Sequence, residues 1–182
     1  RDFLGALGAR TDHGSLVPNG VTNTFDQSAD PQLFRDFVGQ QHFILSVGRL
    51  EYRKNQALLA LAATELELPL VLIGAEGDSG YLDTIRLLGG SGVIHVDHLA
   101  DKQLLRSAYA AASVFVLPSW SEGAPLAALE AGLIGAPLVL SDRSSEKEYF
   151  GEWADYIAPG DVPGLRDTIT AALRRGESST YR

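Results

Sequence analysis

The sequence predicts an open α/β sheet of parallel strands with helices on both faces. Two observations support this prediction. Short apolar runs recur at intervals of about twenty to twenty-seven residues, and Ala- and Leu-rich stretches with helical spacing separate them. Strands and helices that alternate in this way form parallel sheets through right-handed crossovers. The predicted strands are residues 43–47, 70–73, 93–96, 114–117, 138–140 and 156–158.

Most of these runs are nearly continuous in apolar residues, which is typical of parallel strands buried on both faces. The helix signals lie between them. Asp101 is a candidate N-cap for a helix over 102–112, and Pro125 suits the first turn of a helix over 126–133 that Gly135 would close. Two more helices are predicted, over residues 55–66 and from Pro163 to about Gly176.

The ends of the chain are less regular. Residues 1–19 could form a helix and a short strand, and residues 20–41 are interpreted as a connector with one helical turn. The tail after Gly176 is predicted to be exposed.

Composition excludes several classes of function. The chain of 182 residues carries 15 Lys and Arg against 23 Asp and Glu, a formal net charge of −8. This balance argues against a nucleic-acid binder, which needs a basic face to release counterions from phosphates. It also disfavours binding to anionic membrane surfaces. A local basic cluster that holds one small phosphate ligand remains compatible with it.

Cysteine is absent, so the chain has no disulfide, no thiolate metal site and no cysteine nucleophile. This is compatible with the cytoplasm. The longest nearly apolar stretch, 124–140, is too short to span a bilayer and contains Glu130, so a transmembrane helix is rejected. No metal site is predicted, because the four histidines lack the spacing of metal ligands: His13, His42, His95 and His98.

The loop after the first strand carries a candidate anion site. Gly48 at the strand end lets the backbone approach a ligand closely, and Arg49 and Lys54 flank a turn that leads into a helix. Two cations at a helix N-terminus suit a diphosphate. Spacing alone leaves open that both are ordinary solvated side chains. The loop 74–78, with two glycines, is interpreted as a tight turn, and an ordinary turn is favoured over one that admits a ligand.

The loop after the fourth strand carries two acids. Glu122 is predicted above the sheet, and Glu130 lies about two turns into the next helix, from where it could point back to the same crevice. A carboxylate can accept one hydrogen bond from each of two vicinal hydroxyls. The alternative is that Glu122 only stabilises the helix dipole and that Glu130 lies on the surface.

These segments together resemble the signatures of the family 4 retaining glycosyltransferases, whose GT-B architecture sets two Rossmann-like domains across a cleft. The resemblance covers residues 16–175, and Pro125 departs from it where many relatives carry glycine. The residues that carry the resemblance are Val17-Pro18-Asn19-Gly20-Val21, Ser46-Val47-Gly48-Arg49, Lys54-Asn55, Pro118-Ser119, Glu122-Gly123 and Leu129-Glu130-Ala131.

The resemblance implies a role for each matching position. Arg49 and Lys54 would hold the diphosphate of a nucleotide-sugar donor and stabilise the leaving group. Glu122 would contact the donor sugar, and Glu130 the ribose. Backbone contacts to the diphosphate and sugar are implied at Gly48, Gly123, Ala124 and Leu126. No metal or other cofactor is expected, because the two cations take that place.

The resemblance also implies a domain organisation. Residues 1–20 are predicted as a residual interdomain segment, 21–176 as the Rossmann-like donor-binding domain and 177–182 as a tail. We expect a C-terminal half that binds the donor but needs an N-terminal domain to bind a saccharide or glycolipid acceptor and to transfer sugar. We expect a cytoplasmic location, with any membrane contact made through that other domain. Two alternatives remain: a non-catalytic nucleotide-binding or scaffolding module, and a GT-B sugar-nucleotide epimerase.

Overall fold

The computed structural model describes residues 18–22 and 29–179, with side chains up to residue 176. Strands and helices alternate along this part of the chain. The elements are α1 (Pro31–Val38), β1 (Ile44–Val47), α2 (Gln56–Glu65), β2 (Leu70–Ile73), α3 (Tyr81–Gly89), β3 (Val93–Val96), α4 (Lys102–Ala111), β4 (Val114–Leu117), α5 (Leu126–Ile134), β5 (Leu138–Ser141), α6 (Glu146–Phe150), β6 (Asp155–Ile157) and α7 (Val162–Ser179). Short 3₁₀ turns cover Tyr52–Lys54, Gly90–Gly92 and Gly151–Trp153.

The strands form one six-stranded parallel sheet in the order β3-β2-β1-β4-β5-β6. Ile44 of β1 lies opposite Leu70 of β2 on one side and Val114 of β4 on the other. The chain thus builds outward from β1 to β3, returns to the centre, and builds outward again from β4. The loops after β1 and β4 diverge at this reversal, where open α/β sheets leave a crevice for ligands.

Both faces of the sheet are covered by helices, which confirms the predicted fold class. Ile44 packs into the core beneath α2, α3 and α7, and its neighbour Leu45 packs into the core on the other face, beneath α1, α4 and α5. Successive strand side chains therefore enter different cores. Because both sets are buried in the four central strands β1, β2, β4 and β5, these strands are apolar at nearly every position, whereas the edge strands β3 and β6 are only partly buried.

The predicted helix ends are confirmed at two places. Asp101 caps α4, where its Oδ1 accepts hydrogen bonds from the N–H groups of Gln103 at 2.8 Å and Leu104 at 3.2 Å. Gly135 ends α5 in the left-handed conformation with φ of 91°. Both features satisfy backbone groups that a helix end leaves without a partner.

The prediction of a single helical turn within residues 20–41 is wrong, because α1 is a helix of eight residues. Asp30 accepts a hydrogen bond from the N–H of Gln32 at 2.9 Å. Ser107 of α4 accepts one from the N–H of Phe34 at 2.9 Å and donates one to the carbonyl of Asp30 at 2.5 Å. These contacts with a distant helix stabilise α1, and the local sequence does not show them.

The other differences concern element ends. β1 starts one residue later than predicted, at Ile44, and β6 covers Asp155–Ile157 in place of 156–158. α7 continues to Ser179, beyond the predicted end near Gly176. The helix predicted within residues 1–19 falls mainly on residues outside the described range.

Two glycines allow the loops after β1 and β2 to touch. Gly48 has φ of 146° and Gly74 has φ of 147°, where side chains are rarely accommodated. The N–H of Gly48 donates to the carbonyl of Ile73 at 2.9 Å. A Cβ atom on Gly74 would overlap with the carbonyl of Gly48. The two strand ends therefore approach each other through backbone alone.

We predict that Gly74→Ala lowers the free energy of unfolding by at least about 2 kcal/mol, because a clash with Gly48 is added to backbone strain. Gly80→Ala is the matched control, since Gly80 has φ of 76° with open space around it. It should cost only about 1 kcal/mol of backbone strain. Urea unfolding measured by circular dichroism tests both, and equal losses would contradict the clash.

Candidate functional site

A cation and an acid meet where the loops after β1 and β4 diverge. Nζ of Lys54 donates to Oε1 of Glu122 at 2.6 Å, and the hydroxyl of Ser119 donates to the same oxygen at 2.7 Å. The side chains of Lys54 and Glu122 are only 15% and 5% exposed. An ion pair so poorly solvated has a well-defined geometry. Two residues predicted at this edge from their positions in the sequence are thus in direct contact.

Asn55 fixes the geometry of this contact. Its backbone is left-handed, with φ of 61° and ψ of 29°, a conformation that asparagine tolerates better than most residues. Its buried Nδ2 donates to the carbonyl of Pro118 at 3.0 Å and to that of Pro159 at 2.8 Å. One side chain therefore ties together the loops after β1, β4 and β6. Asn55 belongs to the Lys54-Asn55 motif, but its position in the sequence does not reveal this structural role.

Arg49 lies at the solvent-exposed rim of the same edge. Its Nη2 is 2.7 Å from Oε1 of Glu51, and its side chain is 73% exposed. Arg49 and Lys54 therefore bind different carboxylates and do not converge on one point in this structure. Each of these two cations is thus paired with a carboxylate of the chain itself.

Arg53 is a site residue that the sequence analysis did not single out. Its Nη2 is 3.1 Å from Oε2 of Glu51, and its Nη1 is 3.4 Å from Oε2 of Glu122. Nη1 also donates to the carbonyl of Ser121 at 2.6 Å. The signal in the sequence was a third cation next to Lys54, but its direction could not be derived from spacing.

The four residues expected to provide backbone contacts surround this edge. A Cβ atom on Gly48 would lie 3.7 Å from Cε of Lys54, so the missing side chain leaves room beside the cation. Gly123 is exposed and Ala124 is half-buried. The N–H of Leu126 donates to the carbonyl of Ala124 at 2.9 Å, so this amide is already used in a turn.

Glu130 lies half-buried on α5 and contacts α4. The hydroxyl of Tyr109 donates to its Oε2 at 2.7 Å. Burial raises the pKa of Glu130, and the hydrogen bond from Tyr109 offsets part of this rise. Burial next to Glu130 also holds the pKa of Tyr109 well above its usual value, so Tyr109 remains the donor. The sequence did not reveal this partner, which comes from another helix.

The loop after β5 packs against the loop of Glu122. The hydroxyl of Ser144 accepts a hydrogen bond from the N–H of Glu122 at 2.9 Å, and the hydroxyl of Ser145 donates to the carbonyl of Gly123 at 3.1 Å. The next residue, Glu146, is therefore brought close to the Lys54–Glu122 pair.

Glu146 is fully buried, and neither of its carboxylate oxygens has a hydrogen-bond partner. Burial raises the pKa of Glu146, and the negative charge of Glu122 adds to the rise. Lys54 and the N–H groups of Ser144 and of Glu146 itself lower it in part, without forming well-oriented hydrogen bonds. The protonated form of Glu146 is thus favoured more than that of an ordinary glutamate.

The histidines make no metal cluster in the part of the chain that the structure describes. No group of three or more His, Cys, Asp or Glu side chains there is placed to hold a metal ion. His95 has another role, because its Nε2 lies 2.8 Å from the carbonyl of Gly74. His13 lies outside the described residues.

The family model of the glycosyl transferases group 1 matches residues 34–181. The chain belongs to this family. The match includes both loops that form the Lys54–Glu122 pair.

This group 1 chain is 32% identical over 152 residues to O-antigen chain mannosyltransferase B of Escherichia coli. The matched segment covers 79% of this chain and 40% of that protein. It is similar in structure to sucrose-phosphate synthase from Thermosynechococcus elongatus, with a TM-score of 0.80 and 23% identity, over 97% of this chain and 47% of that one. It is also similar to the C-terminal domain of a group 1 protein from Francisella tularensis, with a TM-score of 0.69 and 17% identity, over 85% of this chain and 88% of that one.

The chain thus spans less than half the length of the first two proteins and most of the third. The structural similarities confirm the predicted Rossmann-like α/β fold. Across residues 29–179, no helix is both long and apolar enough to cross a membrane.

We predict that Asn55→Gly lowers the free energy of unfolding of this group 1 domain by about 2 kcal/mol or more, because two buried carbonyls lose their partner. Asn55→Ala should cost about 1 kcal/mol beyond that, since alanine disfavours the left-handed backbone. Urea unfolding of the three proteins measures both differences. A glycine variant as stable as the wild type would show that the hydrogen bonds contribute nothing.

We predict that Glu146→Gln changes how stability depends on pH. A raised pKa in the folded state means that ionisation of Glu146 destabilises the fold as pH rises above the ordinary glutamate value of about 4.3. The Gln variant lacks this loss. Relative to wild type, the free energy of unfolding of the Gln variant should therefore increase from pH 4 to pH 7. Urea titrations at intervals of about half a pH unit measure this difference. Parallel pH profiles would contradict the shift.

Proposed function

We propose that this chain is the donor-binding domain of a retaining glycosyltransferase. It would transfer sugar from a nucleoside-diphosphate sugar to a saccharide or a lipid-linked glycan. One observation carries the proposal: a cation, Lys54, and an acid, Glu122, are in contact at the reversal of strand order between β1 and β4. Ligands of open α/β sheets bind at such reversals.

Lys54 and Arg49 would bind the diphosphate. In this structure each contacts a carboxylate, at 2.6 Å and 2.7 Å respectively. A diphosphate offers oxygens of higher charge, so it can replace these carboxylates as the partner of both cations. The same cations would stabilise the charge that develops when the sugar leaves, without a metal ion.

Glu122 and Glu130 would bind hydroxyls. Glu122 would contact the donor sugar once Lys54 turns towards the diphosphate, because Oε1 would then keep only the hydrogen bond from Ser119 and could accept one more from a sugar hydroxyl. Glu130 would contact the ribose. Only one of its oxygens accepts the hydrogen bond from Tyr109, and that bond orients the carboxylate. Gly48, Gly123, Ala124 and Leu126 would line the path between these groups.

A saccharide or lipid-linked acceptor is proposed because the similar E. coli protein is an O-antigen chain mannosyltransferase. The chain covers 40% of that protein and 88% of a solved C-terminal domain of this family, which supports the assignment as a donor-binding domain. A second domain would then bind the acceptor, and this domain alone would transfer little or no sugar. A cytoplasmic location belongs to the same proposal.

The test measures the binding of UDP, GDP, ADP and inorganic pyrophosphate by thermal shift and calorimetry. A ligand at a hundred times its dissociation constant stabilises the fold by about 2.7 kcal/mol. Lys54→Gln should weaken the binding of both the preferred nucleotide and pyrophosphate by about tenfold or more, because the charged donor at this position is lost. Lys102→Gln, an exposed lysine on α4, is the matched control and should change neither.

Glu130→Gln separates the ribose site from the diphosphate site. It should weaken the binding of the nucleotide by about tenfold and leave the binding of pyrophosphate unchanged, because pyrophosphate has no ribose. The proposed function is wrong if no nucleotide binds the wild type, or if Lys54→Gln binds as the wild type does.

A further inference from the structure

Arg53 joins the two acids of the site. Each acid divides its oxygens between two cations: Oε1 of Glu51 contacts Arg49 and Oε2 contacts Arg53, while Oε1 of Glu122 contacts Lys54 and Oε2 contacts Arg53. Within residues 29–176, no other cation contacts both carboxylates. Arg49 and Lys54 thus each contact one oxygen of one acid, and Arg53 contacts the other oxygen of both acids.

Both acids are poorly solvated. The side chains of Glu51 and Glu122 are 14% and 5% exposed. An ionised carboxylate that loses its partner in such surroundings is strongly disfavoured. Arg49 and Lys54 can consequently leave for another anion only if a different cation keeps the acids paired.

Arg53 is anchored independently of those two cations. Its Nη1 donates to the carbonyl of Ser121 at 2.6 Å, and its own carbonyl accepts from the N–H of Trp120 at 2.8 Å. Both anchors lie on the loop that carries Glu122. The planar guanidinium can face two carboxylates and a carbonyl together, which a lysine ammonium on a flexible stem cannot do in the same geometry.

We propose that Arg53 is a positioning residue that keeps Glu51 and Glu122 paired while Arg49 and Lys54 turn to a diphosphate. This inference rests on the proposed donor site and deepens it. Without Arg53, each acid would depend on one cation only, and both acids would compete with the ligand for Arg49 and Lys54. Removing the charge of Glu51 should then release Arg49 and restore part of the binding.

The experiment measures by calorimetry the dissociation constants of pyrophosphate and of the nucleoside diphosphate that stabilises the wild type. It compares wild type, Arg53→Lys, Arg53→Gln, Glu51→Gln and the double variant Arg53→Gln/Glu51→Gln. Measurements are made well below the melting temperature of the least stable variant, so that a loss of folding does not contribute.

We expect Arg53→Lys and Arg53→Gln each to weaken the binding of both ligands by about tenfold, because both variants lose the bridge between Glu51 and Glu122. Glu51→Gln should bind at least as tightly as wild type. In the double variant, we expect the affinity to return to within about threefold of wild type. A purely structural role predicts instead that Glu51→Gln leaves the affinity of Arg53→Gln unchanged.

The outcomes separate the two proposals. If wild type binds but Arg53→Lys matches it, only the positive charge matters and the bridging role is overturned. Failure of Glu51→Gln to restore binding overturns it as well. If wild type binds neither pyrophosphate nor any of UDP, GDP and ADP, the proposed function is overturned, and the role of Arg53 falls with it.

Discussion

The candidate site depends on one buried amide. Asn55 bonds to the carbonyls of Pro118 and Pro159, and its left-handed backbone ends the turn that carries Lys54. Lys54 and Arg53 also join the loops after β1 and β4, and the amide of Asn55 adds a link to the loop after β6 through the carbonyl of Pro159. The position of Lys54 relative to Glu122 therefore depends on the neutral side chain of Asn55. Asn55 combines the hydrogen bonds of its amide with a rare backbone conformation.

The acids around this tie differ in how they are satisfied. Glu122 has two cations and a hydroxyl, Glu130 has the hydroxyl of Tyr109, and Glu146 has no well-oriented partner. The pKa rises for Glu130 and Glu146, where burial is the largest cause. Burial thus favours the protonated forms of Glu130 and Glu146 more than that of an ordinary glutamate.

The sequence was sufficient to predict the sheet and the placement of Lys54 and Glu122 on loops at the same edge of it, but not their direct contact. Strands buried on both faces produce continuous apolar runs, and the carboxyl ends of parallel strands share one edge. It was insufficient where a contact joins distant elements. The length of α1 depends on Ser107 of α4, the orientation of Glu130 depends on Tyr109, and the bridge formed by Arg53 depends on side-chain direction across two loops. Spacing along a chain does not encode such distances.

The pairing of Arg49 and Lys54 with the chain's own acids has a kinetic consequence. Paired cations project little positive potential into solvent, and the chain as a whole carries a formal charge of −8. Glu51 and Glu122 offset most of the charge of Arg49, Arg53 and Lys54, so under the proposed function an approaching anion would be steered towards this edge only weakly. Under the proposed function, differences in affinity between anionic ligands would then reside in how long each stays bound, because the exchange of ion pairs would follow contact.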